Sequence, residues 1–117
     1  MLQGVSNHLR VAANRRFLEY SDGRPFFYLG DTAWAMLHRL RREEMDFYLD
    51  NRARKGFSVV QTVILCSEAL TGSAGHNAPN ACGDAPLHDL DPGRPNEAFF
   101  AHVDYAVAAA AQRGLFL

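Results

Sequence analysis

Short continuous apolar runs alternate along this chain with longer stretches whose apolar residues recur at helical spacing. The continuous runs are FFYL at residues 26–29 and FSVVQTVIL at residues 57–65. Neither run alternates between apolar and polar residues, so both predict strands buried on both faces, as in a parallel sheet. The motif LFL at residues 115–117 indicates the start of a third strand.

The helical spacing predicts one helix after each of the first two strands. The first helix covers roughly residues 42–55, and Gly56 is placed to end it in a left-handed cap. The second covers residues 96–114, with Asn96 as a plausible N-cap and Gly114 as a plausible end. Strands that alternate with helices indicate right-handed βαβ units and a parallel sheet.

Two other segments complete the predicted order. Asp22–Gly23 lies between two β-rich runs and is a strong hairpin signal ahead of the first long strand. Residues 66–95 hold four of the five prolines, which predicts a loop of about 30 residues, a length that usually reflects function or disorder. A complete (β/α)₈ barrel needs about 250 residues. We therefore expect residues 1–117 to be one partial (β/α)₈ barrel domain: a leading hairpin, two βα units and the start of the third strand, truncated at the C-terminus.

Composition excludes several classes of function. The chain is 48% hydrophobic with a net charge of −1, which is unlike a basic nucleic-acid surface. It has no apolar stretch of about 18 residues and no signal-peptide pattern, so we expect no membrane partner and a cytoplasmic location, unless the N-terminus is incomplete. Cysteine and histidine residues that could hold zinc are spaced too far apart for a typical site, so no metal or cofactor is expected. They are Cys66, His76, Cys82 and His88.

Polar and aromatic residues follow the first strand directly, in the motif GDTAW at residues 30–34. Ligand groups gather at the carboxyl ends of parallel strands. Asp31 could accept hydrogen bonds from a ligand, or it could cap the following turn. Trp34 could stack on a ligand, or it could pack in the core beneath the site.

Two further candidates follow from position alone. Gln61 lies within an apolar strand, where it could belong to a polar layer beneath the site or bond neighbouring backbone. Asn80, in the loop motif PNACG, could bond a ligand or pin the loop by an Asx-type turn. Two histidines remain. His38 could reach the mouth of the site, or it could lie on the surface of a helix. His102 is expected on a solvated helix face.

The motifs LGDTAW, YLDNRARKGF and PNEAFFAHVDY, in this order, resemble the N-terminal part of the apiosidase-like glycoside hydrolases, glycoside hydrolase family 140. The resemblance extends from about Leu9 to Leu117. It implies a (β/α)₈ barrel that hydrolyses plant cell-wall polysaccharide, with the apiose side chains of pectin as one target class. It also implies a retaining mechanism with two carboxylates on the fourth and seventh strands, beyond this chain, which alone is expected to be inactive.

Two positions depart from the resemblance, and two other functions remain open. Arg41 stands where relatives usually have a Thr or Ser helix cap, and Cys82 stands where an aromatic residue is usual. The other functions are a non-catalytic carbohydrate-binding module and an unrelated small α/β interaction domain. Site candidates under the main hypothesis are Asp31, Trp34, Gln61 and Asn80, with a carbohydrate as the partner.

Overall fold

The computed structural model describes residues 8–65 and 77–117. Within these two ranges the elements are short strands and three α-helices in a mixed α/β order, with a 3₁₀ turn before the last helix. In chain order they are β1 (Leu9–Val11), β2 (Leu18–Tyr20), β3 (Gly30–Thr32), α1 (Met36–Arg39), α2 (Arg42–Arg54), β4 (Val59–Gln61), the 3₁₀ turn (His88–Leu90) and α3 (Glu97–Gln112).

The chain reverses direction at Asp22–Gly23 as predicted, but the paired hairpin lies ahead of that turn and closes through residues 12–17. β1 pairs with β2 in an antiparallel hairpin. Gly23 then adopts a positive φ of 87°, and the Tyr20 N–H donates to the Arg24 carbonyl oxygen at 2.9 Å. Beyond this turn only a single bridge forms, between Glu19 and Pro25. The Phe26 N–H completes this bridge by donating to the Leu18 carbonyl oxygen at 2.9 Å.

The next strands are parallel, as the alternation of strands and helices predicts. β3 pairs with β4 in the register Gly30–Val59, Asp31–Val60 and Thr32–Gln61. The third predicted strand begins on the other side of β4. There the Val60 N–H donates to the Phe116 carbonyl oxygen at 2.8 Å, and the Phe116 N–H donates to the Ser58 carbonyl oxygen at 2.9 Å.

The expectation that residues 26–29 form a strand buried on both faces is wrong. The strand lies later, at Gly30–Thr32, and Phe27 and Tyr28 are 78% and 61% exposed. Before Gly30 the Ser58 side chain holds the backbone in addition to two backbone bonds, in which the Ser58 and Val59 N–H groups donate to the Leu29 carbonyl oxygen at 2.9 and 3.1 Å. The Ser58 hydroxyl donates to the Phe27 carbonyl oxygen at 2.6 Å and accepts from the Leu29 N–H at 2.9 Å. The second predicted strand, at residues 57–65, is likewise limited to Val59–Gln61.

The two predicted helices form within two residues of their expected bounds. At the end of α2, Gly56 has a φ of +83°, and the Phe57 N–H reaches back to the Arg52 carbonyl oxygen at 3.2 Å. This pattern is a Schellman cap, which glycine permits because it has no Cβ. At the start of α3, the Asn96 Oδ1 accepts from the Ala98 N–H at 3.1 Å.

Helices α2 and α3 pack on one face of the parallel strands and enclose the core. Val60 is fully buried there, so the side chains of its neighbours Val59 and Gln61 are directed to the opposite face of β4. None of the helices in the described ranges is long and apolar enough to cross a membrane. The core consists of Met36, Leu37, Met45, Leu49, Val60, Phe99, Val103, Ala106, Ala109, Ala110 and Leu115.

Candidate functional site

Asp31 is the central polar group at the carboxyl end of β3, and its side chain is directed toward the helices. Its register partner is the buried Val60, which faces the helical layer. The Tyr48 phenol donates to Asp31 Oδ2 at 2.6 Å, and Arg52 forms an ion pair with the same oxygen at 3.1 Å. The Thr32 N–H donates to Oδ1 at 2.9 Å. Asp31 therefore joins its strand to two successive turns of α2.

The pKa values in this group follow from the same contacts. The hydrogen bond from Tyr48 is the main cause that lowers the pKa of Asp31 below its usual 3.8, and Arg52 lowers it further. Burial, together with the bond to Asp31, raises the pKa of Tyr48 to about 12. The Arg52 guanidinium also lies 5.0 Å from the centre of the Tyr48 ring. At neutral pH the trio is a carboxylate, a phenol and a guanidinium held in fixed positions, and ligand contact by Asp31 stays a prediction.

Trp34 lies beside this trio and is 52% exposed, so it is not a core residue. It lines an apolar cavity of about 240 Å³ together with Met36, Leu40 and Tyr48. The backbone at Trp34 is anchored, since the Trp34 carbonyl oxygen accepts from the Val63 N–H at 3.3 Å. An exposed ring on an anchored backbone is suited to stacking, and sugar contact by Trp34 stays a prediction.

Gln61 is exposed on the opposite face of β4, beside Thr32 of β3. It lines a second cavity, of about 430 Å³, with residues that include Val59, Thr62 and Phe116. The structure therefore does not bring Gln61 together with Asp31 and Trp34. Its role in binding stays a prediction.

Asn80 pins the loop before α3, which was one of its two expected roles. Its Oδ1 accepts from the Cys82 N–H at 2.9 Å and from the Asp84 N–H at 3.0 Å. The residue is 5% exposed, and its Nδ2 is buried with no hydrogen-bond acceptor among the described residues. Asn80 lines a third cavity, of about 460 Å³, between the first turns of α2 and α3. Substrate binding by Asn80 stays a prediction.

Both histidines are buried rather than at the surface. His102 is 3% exposed, so the expectation that it lies on a solvated helix face is wrong. His38 is 5% exposed, so the alternative that it lies on the surface of a helix is wrong as well. The His38 ring nitrogens lie 3.1 Å from the Ala78 carbonyl oxygen and 2.9 Å from that of Ile64. His102 Nε2 lies 3.2 Å from the Leu40 carbonyl oxygen, and burial lowers its pKa. The spacing of His102 from Phe99 on α3 was a signal that it lies on the buried face.

Tyr48 and Arg52 were not recognised from the sequence as part of the site. Tyr48 recurs at helical spacing with Met45 and Leu49, which indicates only the apolar face of α2, although a tyrosine hydroxyl that is partly buried usually has a partner. Of the four residues considered for zinc, Cys66 and His76 lie outside the described residues. Within 8–65 and 77–117, no group of three or more potential metal ligands occurs.

The family model for the apiosidase-like catalytic domain matches residues 12–117 of this chain. This chain belongs to the apiosidase-like family. The matched range includes β3, β4, α2, α3 and the loop that holds Asn80. It confirms the resemblance inferred from the three sequence motifs.

Solved glycoside hydrolases share the fold of this apiosidase-like chain. One is described as a glycoside hydrolase family 5 protein from Bacteroides vulgatus ATCC 8482, with 29% identity and a TM-score of 0.75. Another is described as a glycoside hydrolase, with 30% identity and a TM-score of 0.74. Each match covers 92% of this chain and 23% of the solved chain. No curated protein matches the chain.

Proposed function

We propose that this chain is the N-terminal part of a (β/α)₈ barrel glycosidase that acts on plant cell-wall polysaccharide of the pectin type. The observation that carries the proposal is the family match over residues 12–117. The chain spans 23% of the solved glycoside hydrolases it resembles, so the activity belongs to a longer polypeptide. In this proposal residues 1–117 form one incomplete catalytic domain.

The order of the strands supports a barrel. β3, β4 and the segment around Phe116 lie side by side and parallel, with α2 and α3 on one face. In a (β/α)₈ barrel the helices form the outer ring, and the opposite face of the strands lines the interior. Gln61 and Thr32 would then face the interior, while Asp31 would face the helical ring.

The proposed reaction is retaining hydrolysis with two carboxylates, an acid/base and a nucleophile. Their separation in such enzymes is about 5–5.5 Å, because the nucleophile must reach the anomeric carbon directly. We place both carboxylates on strands beyond residue 117. Asp31 is not a candidate for either role, because it is bonded to Tyr48 and Arg52 on the helical side.

The residues of this chain would bind and position the sugar. Trp34 would provide a stacking surface at the carboxyl end of β3, since half of its surface is exposed. Gln61 would offer both donors and acceptors to sugar hydroxyls from the interior face. Asp31 would support sugar binding indirectly, because its bonds to Tyr48 and Arg52 hold the strand end from which the Trp34 loop departs.

The test is hydrolysis of pectic polysaccharide by the longer protein encoded by the source gene. The longer protein should release sugar with retention of anomeric configuration, which proton NMR measures. The 117-residue chain should release no sugar. Trp34→Ala should raise KM. The matched control is Phe27→Ala, which removes another exposed aromatic ring that lies outside the Trp34 cavity. Inversion of configuration, or hydrolysis by the short chain, would contradict the proposed mechanism.

A non-catalytic carbohydrate-binding role is the second candidate, and the half-exposed Trp34 ring favours it. It predicts that the longer protein binds pectic oligosaccharides but releases no sugar, and that Trp34→Ala abolishes the binding. Release of sugar at a rate well above the uncatalysed background would exclude this alternative.

A further inference from the structure

The third cavity lies apart from the Trp34 cavity and the Gln61 cavity, between the first turns of α2 and α3. We propose that it binds a neutral sugar unit of the polysaccharide, separately from the unit that is cleaved. This inference rests on the proposed glycosidase function. The residues that would contact the sugar are Arg41, Glu43, Asn80, Cys82, Asp84 and His102.

Asn80 supplies a donor that has no acceptor among the described residues. Two backbone N–H groups donate to its Oδ1, which fixes the orientation of the amide. Nδ2 must therefore point the other way, where it is buried and unpaired. A buried donor left unpaired is unfavourable, so this position favours a ligand or water that brings an acceptor. A sugar hydroxyl is such an acceptor.

His102 also lines this cavity. Its Nε2 lies 3.2 Å from the Leu40 carbonyl oxygen, which can only accept, so Nε2 carries the hydrogen. Burial lowers the pKa of His102, which favours the neutral ring at neutral pH. In the neutral tautomer Nδ1 carries a lone pair. A sugar hydroxyl can donate to that lone pair.

The charges around the cavity are balanced, which favours a neutral ligand over an anion. The lining includes two guanidinium groups, from Arg41 and Arg42, and two carboxylates, from Glu43 and Asp84. The Arg42 guanidinium already lies 4.7 Å from the centre of the Tyr105 ring. Hydroxyl groups can accept from Arg41 and donate to the carboxylates at the same time. Phosphate or a carboxylate ligand would instead meet repulsion from Glu43 and Asp84.

The location and size of the cavity suit an extended saccharide. α2 and α3 each follow a parallel strand, so their first turns lie on the side of the carboxyl ends, where barrel enzymes bind substrates. The volume of about 460 Å³ lies within the usual range of about 300–1,000 Å³ for ligand pockets. A polysaccharide could therefore occupy this cavity while another of its units lies over the barrel.

The test measures binding of neutral tetrasaccharides to the 117-residue chain, with folding verified by circular dichroism. The probes are galactotetraose and arabinotetraose, titrated by isothermal calorimetry, with tetragalacturonic acid as the anionic comparison. Asn80→Asp is the decisive variant, because the carboxylate keeps the acceptor for Cys82 and Asp84 but removes the Nδ2 donor. We expect at least one neutral probe to bind, and Asn80→Asp to weaken it about tenfold.

Two controls separate the cavity from general effects. Asn77→Asp adds the same charge to the same loop, but Asn77 bonds the Leu87 backbone and does not line the cavity, so binding should be unchanged. In a Cys66→Ser background, alkylation of the exposed Cys82 thiol by iodoacetamide should slow when the neutral probe is bound.

The outcomes distinguish this inference from the proposed function. It is overturned if neither neutral probe binds, if Asn80→Asp binds as well as Asn77→Asp, or if Cys82 is not protected. Tighter binding of tetragalacturonic acid than of both neutral probes would also overturn it. The proposed function is tested independently by hydrolysis with the longer protein, which could succeed even where this cavity binds no sugar.

Discussion

The Tyr48 hydroxyl donates a 2.6 Å hydrogen bond to Asp31 Oδ2 and so joins the second turn of α2 to the carboxyl end of β3. Both side chains are only partly exposed, and Arg52 pairs with the same carboxylate. This bond holds the strand end from which the exposed Trp34 loop departs. The stability of this part of the fold should therefore depend in part on the Tyr48 hydroxyl.

Replacing Tyr48 with Phe should lower the free energy of unfolding by about 1–2 kcal/mol, because Asp31 loses a charge-assisted hydrogen bond while Arg52 and the Thr32 N–H remain. Urea denaturation followed by circular dichroism measures this change. Tyr28→Phe is the control, since Tyr28 is 61% exposed and should change stability little. Equal stability of the two variants would mean that the Asp31–Tyr48 bond contributes nothing.

The same bond predicts how stability changes in acid. Asp31 has a lower pKa in the folded state than its usual 3.8, mainly because of Tyr48. Its contribution is present above the unfolded value and is lost as the pH falls through the folded value. Between about pH 5 and pH 3 the wild-type chain should therefore lose more stability than Tyr48→Phe, since other carboxylates contribute equally to both proteins. Parallel losses in the two proteins would contradict this cause.

The N-terminus of α2 offers a stabilising substitution. Arg41 is the N-cap residue and has no acceptor to offer the first turn, whereas the Glu44 carboxylate does accept from the Arg41 N–H at 2.7 Å. Arg41→Ser should complete a capping box and raise the free energy of unfolding by about 1 kcal/mol. Arg41→Ala removes the same charge without adding an acceptor and should give no gain. A similar gain from both variants would assign the effect to charge rather than to capping.

The C-terminus of α2 should be sensitive to backbone conformation alone. Gly56 has a φ of +83°, and a Cβ added there would meet no atom within 4 Å. Gly56→Ala should therefore cost about 1 kcal/mol through left-handed strain, without any steric clash. Gly56→Asn should cost less, because asparagine adopts this conformation more readily. Thermal unfolding of the three proteins measures the order, and a larger loss for Asn than for Ala would contradict it.

The helices were predictable because their signals are local. Apolar spacing and the residues Asn96 and Gly56 are enough to place α2 and α3 and their ends. The strands were less predictable, because their burial depends on which other segments pair with them: Phe27 and Tyr28 have the composition of a buried strand but are exposed. The parallel order and the turn at Asp22–Gly23 did follow from the sequence pattern.

The candidate site could be predicted only in part, because its partners are distant in the sequence. GDTAW indicated a functional strand end, but the spacing alone does not show that Asp31 is directed toward α2. The partners of His38 are backbone carbonyls of Ile64 and Ala78, which no sequence motif encodes. The unpaired Nδ2 of Asn80 likewise depends on the folded loop, in which two backbone N–H groups donate to its Oδ1.

The central claim is that this apiosidase-like chain begins a longer barrel whose later strands carry the catalytic carboxylates. Its most direct test is to sequence the source gene through and beyond codon 117. The account predicts an open reading frame of alternating strands and helices for some 200 residues more, which is enough to complete a barrel that carries insertions beyond the typical length of about 250 residues. Carboxylates should lie at the ends of its fourth and seventh strands. A stop codon directly after Leu117 would contradict it.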